Sequence, residues 1–217
     1  MSLDTFANLK TAIGAYLDRD DLTDYIPDFI TLAEEMHKRP ALVDSMRNPE
    51  EVGGIRLKEM ITRSNITVDS RQISLPTGFL EPISFRLLTN PVTVLQYVNY
   101  HEMNRRRDET SGKPEYFTIG NEIEFDHSPD TSYTGEIIFY KEETALSDGN
   151  TTNNILTKVP GAYLYGALLA SAPFLMDDPR IVVWRSLYRQ SVDGANRLLK
   201  KSRRAGHLVS RPAGAVV

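Results

Sequence analysis

The spacing of apolar positions changes twice along the chain, from helical to alternating and back. Between Asp4 and Leu17, Phe6, Leu9, Ile13 and Tyr16 recur every three or four residues, which predicts a first helix ended by Asp18-Arg19-Asp20-Asp21. A second helix is predicted from Asp24 to Arg39, with Ile26, Phe29, Ile30, Ala33, Met36 and His37 facing inward. Pro27 is compatible only with its first turn, and Pro40 stops it. Residues 40–54, with Asn48-Pro49 and Gly53-Gly54, read as a loop. From Arg56 to Lys141 the period becomes two, with many β-branched and aromatic residues, and strands are predicted near 58–68, 71–75, 83–88, 93–98, 115–119, 122–126 and 134–141. Gly120-Asn121 suits a hairpin turn, and Asn99 suits the cap of a short helix over 100–109.

Helical spacing returns after Ser147-Asp148-Gly149-Asn150. A helix over 159–176 is apolar nearly all round, and Gly161, Ala162, Gly166, Ala167, Ala170 and Ala172 would let neighbours approach closely. Asp178 and Pro179 fit the start of a last helix running to about Arg204. Ile181, Trp184, Tyr188, Val192, Ala195 and Leu199 line one side of it; Arg185, Arg189, Asp193, Arg197 and Lys200 line another, with Asp193 and Arg197 spaced for an ion pair. The expected class is α+β with segregated elements: a four-helix platform from the N- and C-terminal segments and a β-rich excursion in the middle. The expected divisions are 1–54 and 146–204 for the platform, 55–145 for the β-rich insertion with its short helix, and 205–217 for a C-terminal tail.

Composition narrows the possibilities. With 217 residues, 41% hydrophobic and 25% charged, the chain is an ordinary globular protein of one domain, or of one domain with an insertion. The absence of cysteine excludes disulfides and thiolate metal sites. Val159 to Met176 is uncharged over 18 residues, but Pro160, Gly161, Pro173 and the following Asp177-Asp178 favour a buried helix over a membrane span. The stretch after Met1 lacks the basic start and apolar run of a signal peptide, so Asn65-Ile66-Thr67 and Asn150-Thr151-Thr152 read as chance matches to the glycosylation pattern. Charge is unevenly spread: residues 1–36 carry eight acids and two bases, and residues 180–211 carry nine bases and one acid. Such polarity speaks to partners.

Chemistry-bearing motifs are missing. His101-Glu102 begins like a zinc-protease motif, but Arg105 stands where the second histidine belongs. Gly112-Lys113-Pro114 is no phosphate loop, Asp148-Gly149-Asn150 lacks calcium-loop spacing, and no Gly-x-Ser-x-Gly elbow occurs. Glu122, Glu124 and Asp126 alternate onto one strand face, expected to be solvated rather than a hydrolase or nuclease centre. No catalytic residue, metal or cofactor is expected. Arg105-Arg106-Arg107 reads as a solvated helix end beside Asp108-Glu109. The candidate binding residues are Arg197, Lys200, Lys201, Arg203, Arg204 and Arg211, facing an acidic partner, a neighbouring subunit or DNA backbone. The bland alternative for the first five is cationic complementation of a helix C-terminus. No aromatic interleaving or helix-turn-helix pattern marks a dedicated DNA reader.

The order of several segments resembles the head-to-tail adaptor, or connector, proteins of tailed phages. The segments are Asp21-Leu22 through Tyr25-Ile26-Pro27-Asp28-Phe29-Ile30 and Leu32-Ala33-Glu34; Ile73-Ser74-Leu75-Pro76-Thr77-Gly78-Phe79-Leu80-Glu81; Gly112-Lys113-Pro114-Glu115-Tyr116-Phe117-Thr118-Ile119; Ala145-Leu146-Ser147-Asp148; and Pro160 to Pro173, followed by Asp177-Asp178 and Trp184. The loop over 40–54 is longer than the usual pattern, and the tail lies outside it. The resemblance implies a non-enzymatic virion protein at the head-tail junction, assembled in the host cytoplasm. It implies a ring, usually dodecameric, docked under the portal, in contact with tail proteins and transiently with passing DNA, and no membrane. In that picture the helices make the subunit contacts around the DNA channel, the β excursion faces outward or toward the tail, and C-terminal segments grip the portal. The alternatives are a tail-side gatekeeper ring of a short-tailed phage and a DNA-binding packaging regulator.

Overall fold

The computed structural model describes residues 2–39, 54–175 and 178–204, the last five of these by backbone alone. In chain order the elements are α1 (Phe6–Leu17), α2 (Ile26–Lys38), β1 (Ile61–Val68), β2 (Gln72–Ser74), β3 (Phe79–Leu87), β4 (Thr93–Tyr97), α3 (Tyr100–Arg106), β5 (Tyr116–Ile119), β6 (Glu122–Phe125), β7 (Tyr133–Lys141), α4 (Asn154–Lys158), α5 (Pro160–Ala170) and α6 (Arg180–Arg204). They form two compact units, one of Met1–Lys58 with Glu143–Val217 and one of Glu59–Glu142.

The helical unit is not a four-helix platform. Among the described residues it holds five α-helices, α1, α2, α4, α5 and α6, plus 3-10 turns at Asp20–Tyr25 and Ala172–Phe174. The helix missed in sequence, α4, has five residues, too few to show a period; Asn153 caps it by accepting from the Leu156 N–H at 2.9 Å. At the centre stands α5, packed against α1, α2, α4 and α6. It is shorter than the apolar run that predicted it, because Pro173 has no N–H for a helical bond and its ring crowds the preceding turn. Among the described residues no helix is long and apolar enough to cross a membrane. Close approach at the hub depends on Gly166, where a Cβ would lie 3.0 Å from that of Ala33 and 3.2 Å from the Tyr188 ring. In α1 the buried stripe is Phe6, Leu9, Ala12, Ile13 and Leu17, and Tyr16 is exposed.

Polar side chains are also buried in this unit. Glu34 accepts from the Leu146 N–H at 2.8 Å and the Tyr163 hydroxyl at 3.0 Å, and Asn153 donates to that hydroxyl oxygen at 2.6 Å. Burial raises the Glu34 carboxyl above its ordinary range, against the pull of these donors. Arg56, 2% exposed, spans the C-terminus of α2 and donates to carbonyls of His37, Lys38, Arg39 and Ile55.

The second unit is one seven-stranded sheet, ordered β1-β7-β3-β4-β5-β6-β2, that curls into a half-barrel. All pairs are antiparallel except β4 and β5. A parallel pair needs a long crossover, and the 98–115 segment with α3 supplies it. Asn99 caps α3 as expected, accepting from the Glu102 N–H at 2.9 Å. The core is largely aromatic and β-branched: Val68, Phe85, Leu87, Leu95, Phe117, Ile123, Phe125, Ile137 and Phe139. Phe85 lies edge-on to Phe117 with ring centres 5.4 Å apart. The α+β class therefore holds, with a middle segment that is a sheet with its own core.

Candidate interaction surfaces

Among the described residues no group of three or more metal-ligating side chains comes together. The Glu122, Glu124 and Asp126 series does not make one solvated face. Glu122 is exposed, and Glu124 lies 3.4 Å from the Arg107 guanidinium. Asp126, past the end of β6, is 1% exposed and accepts the N–H groups of Glu115 and Tyr116, each at 3.1 Å. It fixes the start of β5, a structural task. Two of the three arginines at the end of α3 are likewise engaged, and Arg105 is exposed. Arg106 donates to Glu102 at 2.8 Å and stacks over Tyr116 at 4.2 Å, while Arg107 pairs with Glu109 at 3.0 Å.

Two surfaces of the helical unit carry charge of opposite sign around exposed apolar side chains. The first is built by the turn at Asp20–Tyr25 and the start of α2, where Asp20, Asp21, Asp24 and Asp28 are exposed. Hydrogen bonds from Arg19 hold the Asp21 carboxyl below its ordinary value; the other three make no ion pair among the described residues. Between them, Tyr25 and Leu32 stand about half exposed, with Phe174 5.5 Å from Tyr25 and 5.4 Å from Phe29.

The second surface is the outer side of α6. Asp178 opens this helix by accepting the Arg180 N–H at 2.9 Å, and the Arg180 guanidinium reaches the carbonyl of Tyr16 at 3.0 Å, tying the start of α6 to the end of α1. Trp184, Tyr188, Val192 and Ala195 are buried. Val182 is 74% and Leu198 72% exposed, and Val183 is exposed too. Arg197 is exposed as its position suggested, but it makes no pair with Asp193. Lys200, Lys201, Arg203 and Arg204 belong to the helical backbone of α6, and their side chains lie outside the described residues, as does Arg211 altogether. At 25 residues, α6 extends roughly 37 Å.

Gly194 lies on this outer side, where an added Cβ meets nothing within 4 Å. Gly194→Ala is expected to stabilise the isolated chain by about 1 kcal/mol, the difference in helix propensity. Thermal unfolding should show Tm raised by about 2–4 °C. A lowered Tm would contradict the open surroundings.

The family model of the SU10 adaptor protein matches residues 4–213, nearly the whole chain. The chain belongs to this family, in agreement with its resemblance to the head-to-tail adaptors of tailed phages. No curated protein matches it.

Proposed function

We propose that this SU10 adaptor family member is a structural, non-enzymatic virion subunit. Copies of it close into a ring that joins the portal of a phage head to the tail and surrounds the DNA channel. The family match over residues 4–213 carries the reading. The surfaces of the helical unit support it. A closed ring needs a heterologous interface, one patch meeting a different patch on the next copy. The acidic patch has an apolar centre at Tyr25, Leu32 and Phe174, and the outer side of α6 carries exposed Val182 and Val183 toward one end and Leu198 with Arg197 toward the other, so the two surfaces offer apolar side chains and opposite charge. In this reading the remaining cations of the sequence, Lys200, Lys201, Arg203, Arg204 and Arg211, add positive charge for contact with the portal or passing DNA.

Ring formation is then salt-sensitive, because exposed charge pairs are screened as the Debye length falls from about 10 Å at 0.1 M to about 3 Å at 1 M. Light scattering should show rings at low salt giving way to smaller species near ~1 M. Assembly indifferent to salt contradicts the charged interface. Electron microscopy of the protein mixed with its portal tests the placement: a ring seated on the portal is expected, and a chain absent from purified particles ends the proposal.

A further inference from the structure

The two outer edges of the seven-stranded sheet are unlike. β2, at one edge, has three residues, a length that leaves little to pair with. β1, at the other edge, has eight, in unbroken register with β7 from Ile61 opposite Tyr140 to Val68 opposite Tyr133. Elsewhere in the sheet an open stretch is blunted: β3 extends past its pairing with β4, and there it carries Pro82 and two register shifts. β1 carries no proline, no bulge and one charge, and five of its residues (Ile61, Thr62, Ile66, Thr67 and Val68) are β-branched. In an edge strand half of the N–H and C=O groups point away from the only neighbour. Among the described residues no strand pairs with β1 on that side. An edge of this length and composition is a template for another strand.

Charge says what kind. On one face of the sheet Arg86 of β3 donates to Glu136 of β7 at 2.8 Å, and Arg63 of β1 lies 3.6 Å from the same carboxylate. The row reads positive, negative, positive and ends at the edge on Arg63, whose side chain is 63% exposed. On the other face Ile66 packs against the core beside buried Val68. We infer that the outer edge of β1 takes up an extended segment of another virion protein as an eighth strand. This segment places a carboxylate beside Arg63 and apolar or small residues beside Ile66. The chain's own residues 205–217 do not fit, because they hold Arg211 and no acid. The inference rests on the reading of the chain as a virion subunit.

Hydrogen-deuterium exchange with mass spectrometry tests it on the full chain in three states: dilute, self-assembled at low salt, and in purified particles. The outward amides of residues 61–68 should exchange at least ~100-fold more slowly in particles than in either of the other states. Equal rates in all three overturn the inference while leaving the virion role intact. Slowing already complete in rings of the chain alone also overturns it, by giving the edge to a second copy. Absence of the chain from particles defeats the virion role itself. In particles carrying Arg63→Gln, where Arg86 still holds Glu136, the slowing should drop by about tenfold, one charge-assisted contact. An unchanged rate there refutes the carboxylate.

Discussion

Replacing Arg56 with methionine should destabilise the protein by about 3–5 kcal/mol, the largest loss expected from a single side chain outside the hydrophobic cores. The last carbonyls of a helix have no partner within it and form the negative end of its dipole. At the end of α2 these carbonyls are covered. Arg56 donates to Arg39 at 3.0 Å and reaches His37 and Lys38 at 3.4 Å, and it also donates to the carbonyl of its own neighbour Ile55 at 2.8 Å. The same segment is stitched to α6: the Arg56 N–H donates to Asn196 at 2.9 Å, and Asn196 donates to the Gly54 carbonyl at 3.0 Å. The chain passes so near the end of α2 that a Cβ on Gly54 would lie 1.9 Å from the Arg39 carbonyl oxygen. Methionine fills much of the arginine volume but leaves buried acceptors bare, at about 1–3 kcal/mol each. Tm should fall by roughly 10 °C. Arg56→Lys should recover only part of this, because one ammonium cannot span carbonyls that a planar fork reaches together. Circular dichroism on heating measures both variants. A fall of less than about 2 °C for Arg56→Met would mean that the carbonyls do not depend on the guanidinium.

The sequence revealed what is local. All seven strands fall near their predicted places, because β1 to β7 each alternate or are rich in β-branched and aromatic residues. The Asn99 cap and the buried faces of α2 and α6 followed from spacing. What was missed depends on partners that residue type does not name. Arg56 read as the start of a strand region, and nothing in its neighbours announced the three backbone acceptors of His37, Lys38 and Arg39 brought in from the end of α2. Asp126 followed Glu122 and Glu124 in alternation, but β6 ends at Phe125, and one residue later the carboxylate turns inward to two N–H groups. The four-helix platform failed because α4 is shorter than the window in which a helical period can be seen. Of the basic cluster, the exposure of Arg197 was legible, since Trp184, Tyr188, Val192 and Ala195 define the opposite side of α6. The Asp193–Arg197 pair was not, because spacing permits such a pair without enforcing it.

Acidification should weaken the helical unit through His37. Its ring is 2% exposed, 4.8 Å from the Tyr163 ring centre and 6.2 Å from that of Tyr188, and neither ring nitrogen has a hydrogen-bond partner. Burial moves the imidazole from 6.5 down to about 4. The Ala162 backbone opposes this by favouring the protonated ring, but burial is the larger effect. A group whose folded value lies below its unfolded one binds its proton more readily when unfolded. Its stabilising contribution is complete above about pH 6.5 and is lost as pH falls toward 4. The gap implies about 2 kcal/mol lost by pH 5 and about 3 kcal/mol by pH 4. Glu34, one turn earlier on α2, acts in the opposite sense, since its raised value favours folding as it protonates. Urea unfolding at a series of pH values, in the wild-type chain and in His37→Phe and Glu34→Gln, separates the two. His37→Phe should flatten the decline between pH 6.5 and 4, and Glu34→Gln should steepen it. If His37→Phe follows the wild-type curve, the imidazole is not held neutral by its surroundings, and the acid sensitivity of the fold has another source.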